Sequence, residues 1–147
     1  MSGKVDAQLR QSLVEVAMGR SPADMIVRNG RWVCVQSGEI IQHTNIAIKD
    51  GHIAYVGPSA ATMIGETTRI VEAGDRYLVP GLLDAHMHVE SGMLTVTEFV
   101  RAIIRHGTTG IFIDPHEIAN VFGLQGVRLM VEEAANKPIH VWVQMPS

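Results

Sequence analysis

The chain has 147 residues, 46% of them hydrophobic, with 12 basic against 15 acidic side chains and a formal charge of −3. That is enough apolar chain to bury a core, and too little positive charge for a phosphate-neutralising stripe or a cationic face toward lipid, which excludes nucleic acid and membrane surfaces as partners. No apolar run approaches the roughly 20 residues that span a bilayer, the start MSGKVDAQLR lacks a signal peptide's hydrophobic stretch, and a single cysteine, Cys34, precludes an intrachain disulfide or a cysteine-based zinc cluster. A cytoplasmic protein is the expectation, with Cys34 a buried thiol and any metal held by histidine and carboxylate.

Residues 6–19 set Leu9, Leu13, Val16 and Ala17 on one helical stripe, closed by Gly19. From 25 to 79 the rhythm becomes short β-rich runs: MIVR, RWVCV, NIAIK, HIAYVG, TRIVE and RYLV. Asn29-Gly30 and Asp50-Gly51 fall between such runs, and a type I′ hairpin turn needs positive φ at both central residues, so both pairs are expected to reverse the chain. The reading is an N-terminal helix over 1–20 and a small antiparallel, sandwich-type β domain over 21–79.

After Pro80-Gly81 the order becomes strand (LLDAH), loop, helix (about 97–106), strand (TGIFID), loop, helix (about 123–135) and strand (IHVWVQM). Thr95 and Glu98 fit a capping box, and Gly107 stands where a helix end favours left-handed backbone. Such alternation implies parallel strands with right-handed crossovers, as in a doubly wound sheet or a (β/α)8 barrel. From Pro80 to Ser147 there are 68 residues, against about 250 for a complete barrel, so a barrel here is expected to stop after about three strands.

Two polar clusters fall at strand ends. In GLLDAHMHVES, Asp84, His86 and His88 occupy alternating positions and share a face if strand geometry persists through Met87. Two imidazoles so placed can grip one ion, at the strand end where barrel enzymes build active sites. Asp84, nearer the interior, would hold a ligand histidine or the neighbouring backbone in place, and Glu90 would be a further ligand or a polar contact to substrate. The competing reading is a chance H-x-H in a chain with seven histidines. In FIDPHEIANVFG, the next strand ends in Asp114, Pro115, His116 and Glu117; here a site margin competes with a simple turn cap by Asp114 and a solvated His116. His43, His52, His106 and His140 read as structural.

These residues carry a resemblance. VPGLLDAHMHVES, EFVRAIIRHGTTGIFIDPHEIANVFG and, upstream, ADMIVRNGRWVCVQSGEIIQHTNIAIKDGHIAYVGP together resemble the amino-terminal part of the bacterial adenine deaminases, a family of the amidohydrolase superfamily. The H-x-H speaks to the superfamily, and its combination with DPHEIAN to the adenine deaminases. One departure is Gly92, where the family usually has a second serine. The resemblance implies the start of a (β/α)8 barrel and a purine-salvage hydrolase that converts adenine to hypoxanthine and ammonia with a binuclear Mn²⁺ or Fe²⁺ centre. It makes His86 and His88 the first metal ligands, with Glu90 the acidic residue beside them and a candidate further ligand. Glu90, His116 and Glu117 become catalytic candidates, and Asp84 and Asp114 supporting residues. The other ligands and the main catalytic carboxylates, including the one that handles the proton, are expected from later strands, beyond Ser147. The isolated 147 residues are therefore expected to be inactive and to associate through an open sheet edge, and the full-length protein to be a homo-oligomer.

Two rival readings stand beside this one. A dihydroorotase-like or hydantoinase-like cyclic amide hydrolase would share H-x-H but not DPHEIAN. A catalytically inactive fragment or interaction module would use only the β domain. A cytidine-deaminase-like zinc site is excluded, because it needs a P-C-x-x-C pair.

Overall fold

Helix α1 (Ala7–Ala17) buries Val16 and stops where Gly19 takes φ 67°. It opens the computed structural model, which describes residues 6–145 and divides into two units, one up to Pro80 and one from Gly81. The first five residues of the helix expected over 1–20 lie outside the described residues, and so does Ser147, the end of the expected barrel segment. The first unit is built on strands β1 (Met25–Cys34), β2 (Glu39–Lys49), β3 (His52–Gly57), β4 (Arg69–Glu72) and β5 (Tyr77–Leu78). They form one sheet in the order β3-β2-β1-β4, with β5 also paired to β1.

Asp50-Gly51 is the expected hairpin turn, with φ 50° and 72° between the antiparallel β2 and β3. Asp24 braces it, accepting from Lys49 Nζ at 2.6 Å and from the Asp50 amide at 2.8 Å. Asn29-Gly30 does not reverse the chain. Both flanking runs pair with the same long strand β2, and the register passes from Val27↔Ile46 to Gly30↔Thr44 and then to Trp32↔Ile41. The pairing therefore carries one extra residue on β1 and then one on β2. Asn29 and His43 absorb these bulges with φ 57° and 52°, so the positive φ serves a kink in a continuous strand rather than a turn. The sheet is also mixed rather than antiparallel: β4 and β5 run parallel to β1, because residues 58–68, with a 3-10 turn at Ala61–Met63, carry the chain across before it pairs again.

The second unit alternates β6 (Leu82–Met87), α2 (Val96–Ile103), β7 (Thr108–Ile113), α3 (His116–Ala134) and β8 (His140–Val143), with all pairs parallel in the order β6-β7-β8. The strand–helix alternation is as expected, but α3 starts at His116 rather than near 123, leaving Asp114-Pro115 as the whole connection. The last strand is shorter than the run IHVWVQM, since β8 ends at Val143, four residues before Ser147. At Gly123 the helix is interrupted by φ 59° and ψ −150°, a conformation open to glycine alone. The capping box is half formed: Thr95 accepts from the Glu98 amide at 3.4 Å. The neighbouring amides of Val96 and Thr97 donate to Glu133 on α3, at 3.1 and 2.9 Å. The core gathers Val89, Val96, Val100, Ile111, Ile113, Met130 and Ile139. At about 1.5–3 kcal/mol for each fully buried aliphatic side chain, this cluster fixes β6 and β7 beneath the helices. Among the described residues no helix is long and apolar enough to cross a membrane.

Candidate metal centre

The parallel register brings the two strand-end clusters together. Met87 pairs with Ile113, and the Asp114 amide donates to the Met87 carbonyl at 2.9 Å, so the residues that leave β6 and β7 do so side by side. Val89, fully buried, anchors the chain between His88 and Glu90, and Pro115, also buried, stiffens the exit of β7. Both anchors restrict where the flanking polar side chains can go.

His86 and His88 turn to the same side, with their Nε2 atoms 3.0 Å apart and their rings edge to face at 4.7 Å. His88 Nδ1 lies 3.0 Å from the Asp114 backbone carbonyl. A carbonyl oxygen only accepts, so Nδ1 carries the hydrogen and a neutral His88 presents the Nε2 lone pair toward His86. Two ring nitrogens at that distance are compatible either with a shared proton or with a shared cation. Asp84 Oδ1 accepts from the His86 amide at 3.2 Å, which fixes the backbone that carries the first imidazole.

His86, His88 and Asp114 offer ligand atoms within 4.8 Å of one another, and so do His88, His116 and Glu117. The two groups share His88. Asp114 Oδ1 is buried with no hydrogen-bond partner among the described residues, while Oδ2 lies 3.6 Å from His116 Nδ1. A buried carboxylate oxygen without a partner costs about 1–3 kcal/mol or more, and a cation beside it removes that cost. The set of imidazole nitrogens and a carboxylate is the chemistry of a transition-metal site rather than a Ca²⁺ or Mg²⁺ cage. The residues present therefore fit a divalent metal.

Glu90 stands apart from both groups. It begins a 3-10 turn (Glu90–Gly92), and its Oε1 accepts from the Ile118 amide in the first turn of α3 at 3.3 Å, while Oε2 is buried without a partner among the described residues. Ser91, next to it, donates from Oγ to Glu117 Oε1 at 2.5 Å. Sequence reasoning passes over Ser91 because its partner is 26 positions away and no local pattern connects them. Gly92 has open space where a Cβ would stand and no positive φ, so the departure from serine removes no packing.

Comparison with known proteins bears out the resemblance carried by the motifs. Residues 77–147 match the model of the Amidohydrolase family. The chain is homologous to curated adenine deaminases: it is 67% identical to one from Mesorhizobium japonicum over 140 residues, 95% of this chain and 23% of that protein. Adenine deaminase 3 of Rhizobium meliloti is 62% identical over 96% of the chain and 24% of its own length. An adenine deaminase of Moorella thermoacetica is 50% identical over 96% of the chain and 23% of its own. The chain thus spans about a quarter of the length of these relatives. Among solved structures, molinate hydrolase superposes with a TM-score of 0.60 at 16% identity, covering 85% of this chain and 30% of its own. An amidohydrolase does so with 0.57 at 20%, covering 84% and 32%. Those two likenesses show the mixed α/β fold and nothing finer.

Proposed function

We propose that this chain belongs to a metal-dependent adenine deaminase, as its amino-terminal part, and that the enzyme hydrolyses adenine to hypoxanthine and ammonia. The observation that carries the metal half is the convergence of His86 Nε2 and His88 Nε2 to 3.0 Å beside the partnerless Asp114 oxygen. The substrate half is carried by the name shared by relatives at 50–67% identity.

On this reading residues 80–147 begin a (β/α)8 barrel, and the sheet of 21–79, preceded by helix α1, is one part of a composite sandwich. The remaining ligands and the main catalytic carboxylates come from strands beyond Ser147. His86 and His88 hold the metal. Asp114 faces the same ion instead of merely supporting the ligands, because its carboxylate lies within reach of both imidazoles. When bound, a divalent ion, in a binuclear Mn²⁺ or Fe²⁺ centre, supplies Lewis-acid activation of water near neutral pH. The chain's own residues prepare that chemistry. The Asp114 carbonyl holds His88 in the tautomer that leaves Nε2 free, and Asp84 fixes the His86 backbone. Glu90 ties the loop after β6 to the start of α3. His116 and Glu117, which with His88 form the second donor group, would extend the metal site and meet the purine or relay a proton toward the departing amine. Water adds at C6 and ammonia leaves, so no redox partner is required. The enzyme would act in the cytoplasm as a homo-oligomer.

The test is turnover by the full-length enzyme after chelation and reloading with Mn²⁺ or Fe²⁺. Equal yields of hypoxanthine and ammonia that vanish with chelator and return with metal are expected. Turnover of dihydroorotate or hydantoin with adenine untouched would replace this reading by the cyclic-amide one.

A further inference from the structure

The 3-10 turn that follows His88 makes two contacts with the first turn of α3. Glu90 Oε1 takes the Ile118 amide at 3.3 Å, and Ser91 Oγ donates to Glu117 Oε1 at 2.5 Å. Adjacent residues on one element thus meet adjacent residues on the other, and the pair works as a two-point clasp. The first contact fixes backbone. The second fixes a side chain, and that side chain offers a ligand atom within 4.8 Å of those of His88 and His116.

A glutamate on the first turn of a helix has three rotatable side-chain bonds and solvent available on its outer side. Helix geometry therefore does not decide that the carboxylate faces the imidazoles rather than water. Ser91 supplies that decision. Its side chain is exposed and contributes nothing to the core, so the hydroxyl's structural consequence lies in the bond to Glu117. Glu98 on α2 and Glu132 and Glu133 on α3 are also helical glutamates, and none of them joins either donor group.

We propose that Ser91 is a positioning residue, whose hydroxyl holds the Glu117 carboxylate in the donor cluster with His88 and His116. The inference rests on the metal reading above and deepens it by naming what aims the outermost carboxylate. Ser91 touches neither metal nor substrate and acts through Glu117.

The experiment is a Mn²⁺ affinity measurement by chelator competition on the full-length enzyme and its variants Ser91→Ala, Ser91→Thr, Glu117→Ala and Ser91→Ala/Glu117→Ala, with His86→Ala as reference and thermal unfolding as a check on folding. Ser91→Ala should weaken Mn²⁺ binding about tenfold, as loss of a residue that orients a ligand does. Ser91→Thr, which keeps the hydroxyl, should restore affinity to within about twofold of wild type, and Ser91→Ala should add nothing in the Glu117→Ala background. Wild-type affinity in Ser91→Ala, or an equal loss with and without Glu117, overturns the proposal. If His86→Ala loses metal while Ser91→Ala does not, the positioning role alone falls. If neither loses metal, the metal reading falls with it.

Discussion

At the scale of single residues, the candidate centre depends on which atom of each side chain is free. His88 spends Nδ1 on the Asp114 carbonyl and keeps Nε2 for the shared space. Asp84 does its part through the backbone, since its carboxylate meets the amide of His86 and not a ring nitrogen. Replacing Asp84 with alanine should therefore weaken metal binding by roughly 10-fold, while Asp84→Asn, whose amide oxygen still accepts from the His86 amide, should stay near wild type. Chelator titration of the two variants separates these outcomes, and equal loss in both would show that the negative charge matters more than the hydrogen bond. His86 and His88 are readable from sequence because alternation on a strand is local information. The duties of Asp114 and Ser91 are not, because they depend on the register between strands and on a contact across a loop.

At the scale of elements, two features of the second unit carry quantitative expectations. Ile111, completely buried on β7, packs in the cluster that holds β6 and β7 under the helices. Ile111→Ala should cost roughly 2–5 kcal/mol in urea unfolding, from lost burial and the cavity left behind. Glu133 supplies the second feature. Burial works against its ionisation, but donation from Thr97, Thr95 and Val96 outweighs it and holds the carboxyl below its ordinary value of 4.5. A depressed folded-state pKa contributes stability that is fully present above the unfolded value and lost as pH falls through the folded one. The stability gap between wild type and Glu133→Gln should thus be constant from pH 7 down to about pH 5 and shrink below about pH 4.5. A gap that instead widened with acid would contradict the clamp. These elements also show why one turn signal is legible in the sequence and another is not. Asp50-Gly51 joins β2 and β3, which pair with each other, and becomes a hairpin; both flanks of Asn29-Gly30 pair instead with a third segment, β2, and the dipeptide becomes a bulge. Helix α3 begins seven residues before its expected start, because Gly123 breaks the helical pattern from within and the expectation took the helix to start there.

At the scale of the whole molecule, the fold contributes position rather than chemistry: parallel strands deliver polar residues from β6 and β7 to one end, and buried anchors at Val89 and Pro115 keep them there. The strand–helix alternation after Pro80 is legible because periodicity changes there, whereas the mixed pairing of the first sheet is not, since nothing in TRIVE or RYLV specifies the direction of a partner. The central claim is that His86 and His88 hold a metal ion. Elemental analysis of the purified full-length enzyme beside His86→Ala, His88→Ala, the double variant and His106→Gln, a histidine outside the cluster, tests it most directly. Near-stoichiometric transition metal in wild type and His106→Gln, with loss in each variant of His86 or His88, is the predicted result. A folded His86→Ala/His88→Ala protein that retained full metal content would contradict it.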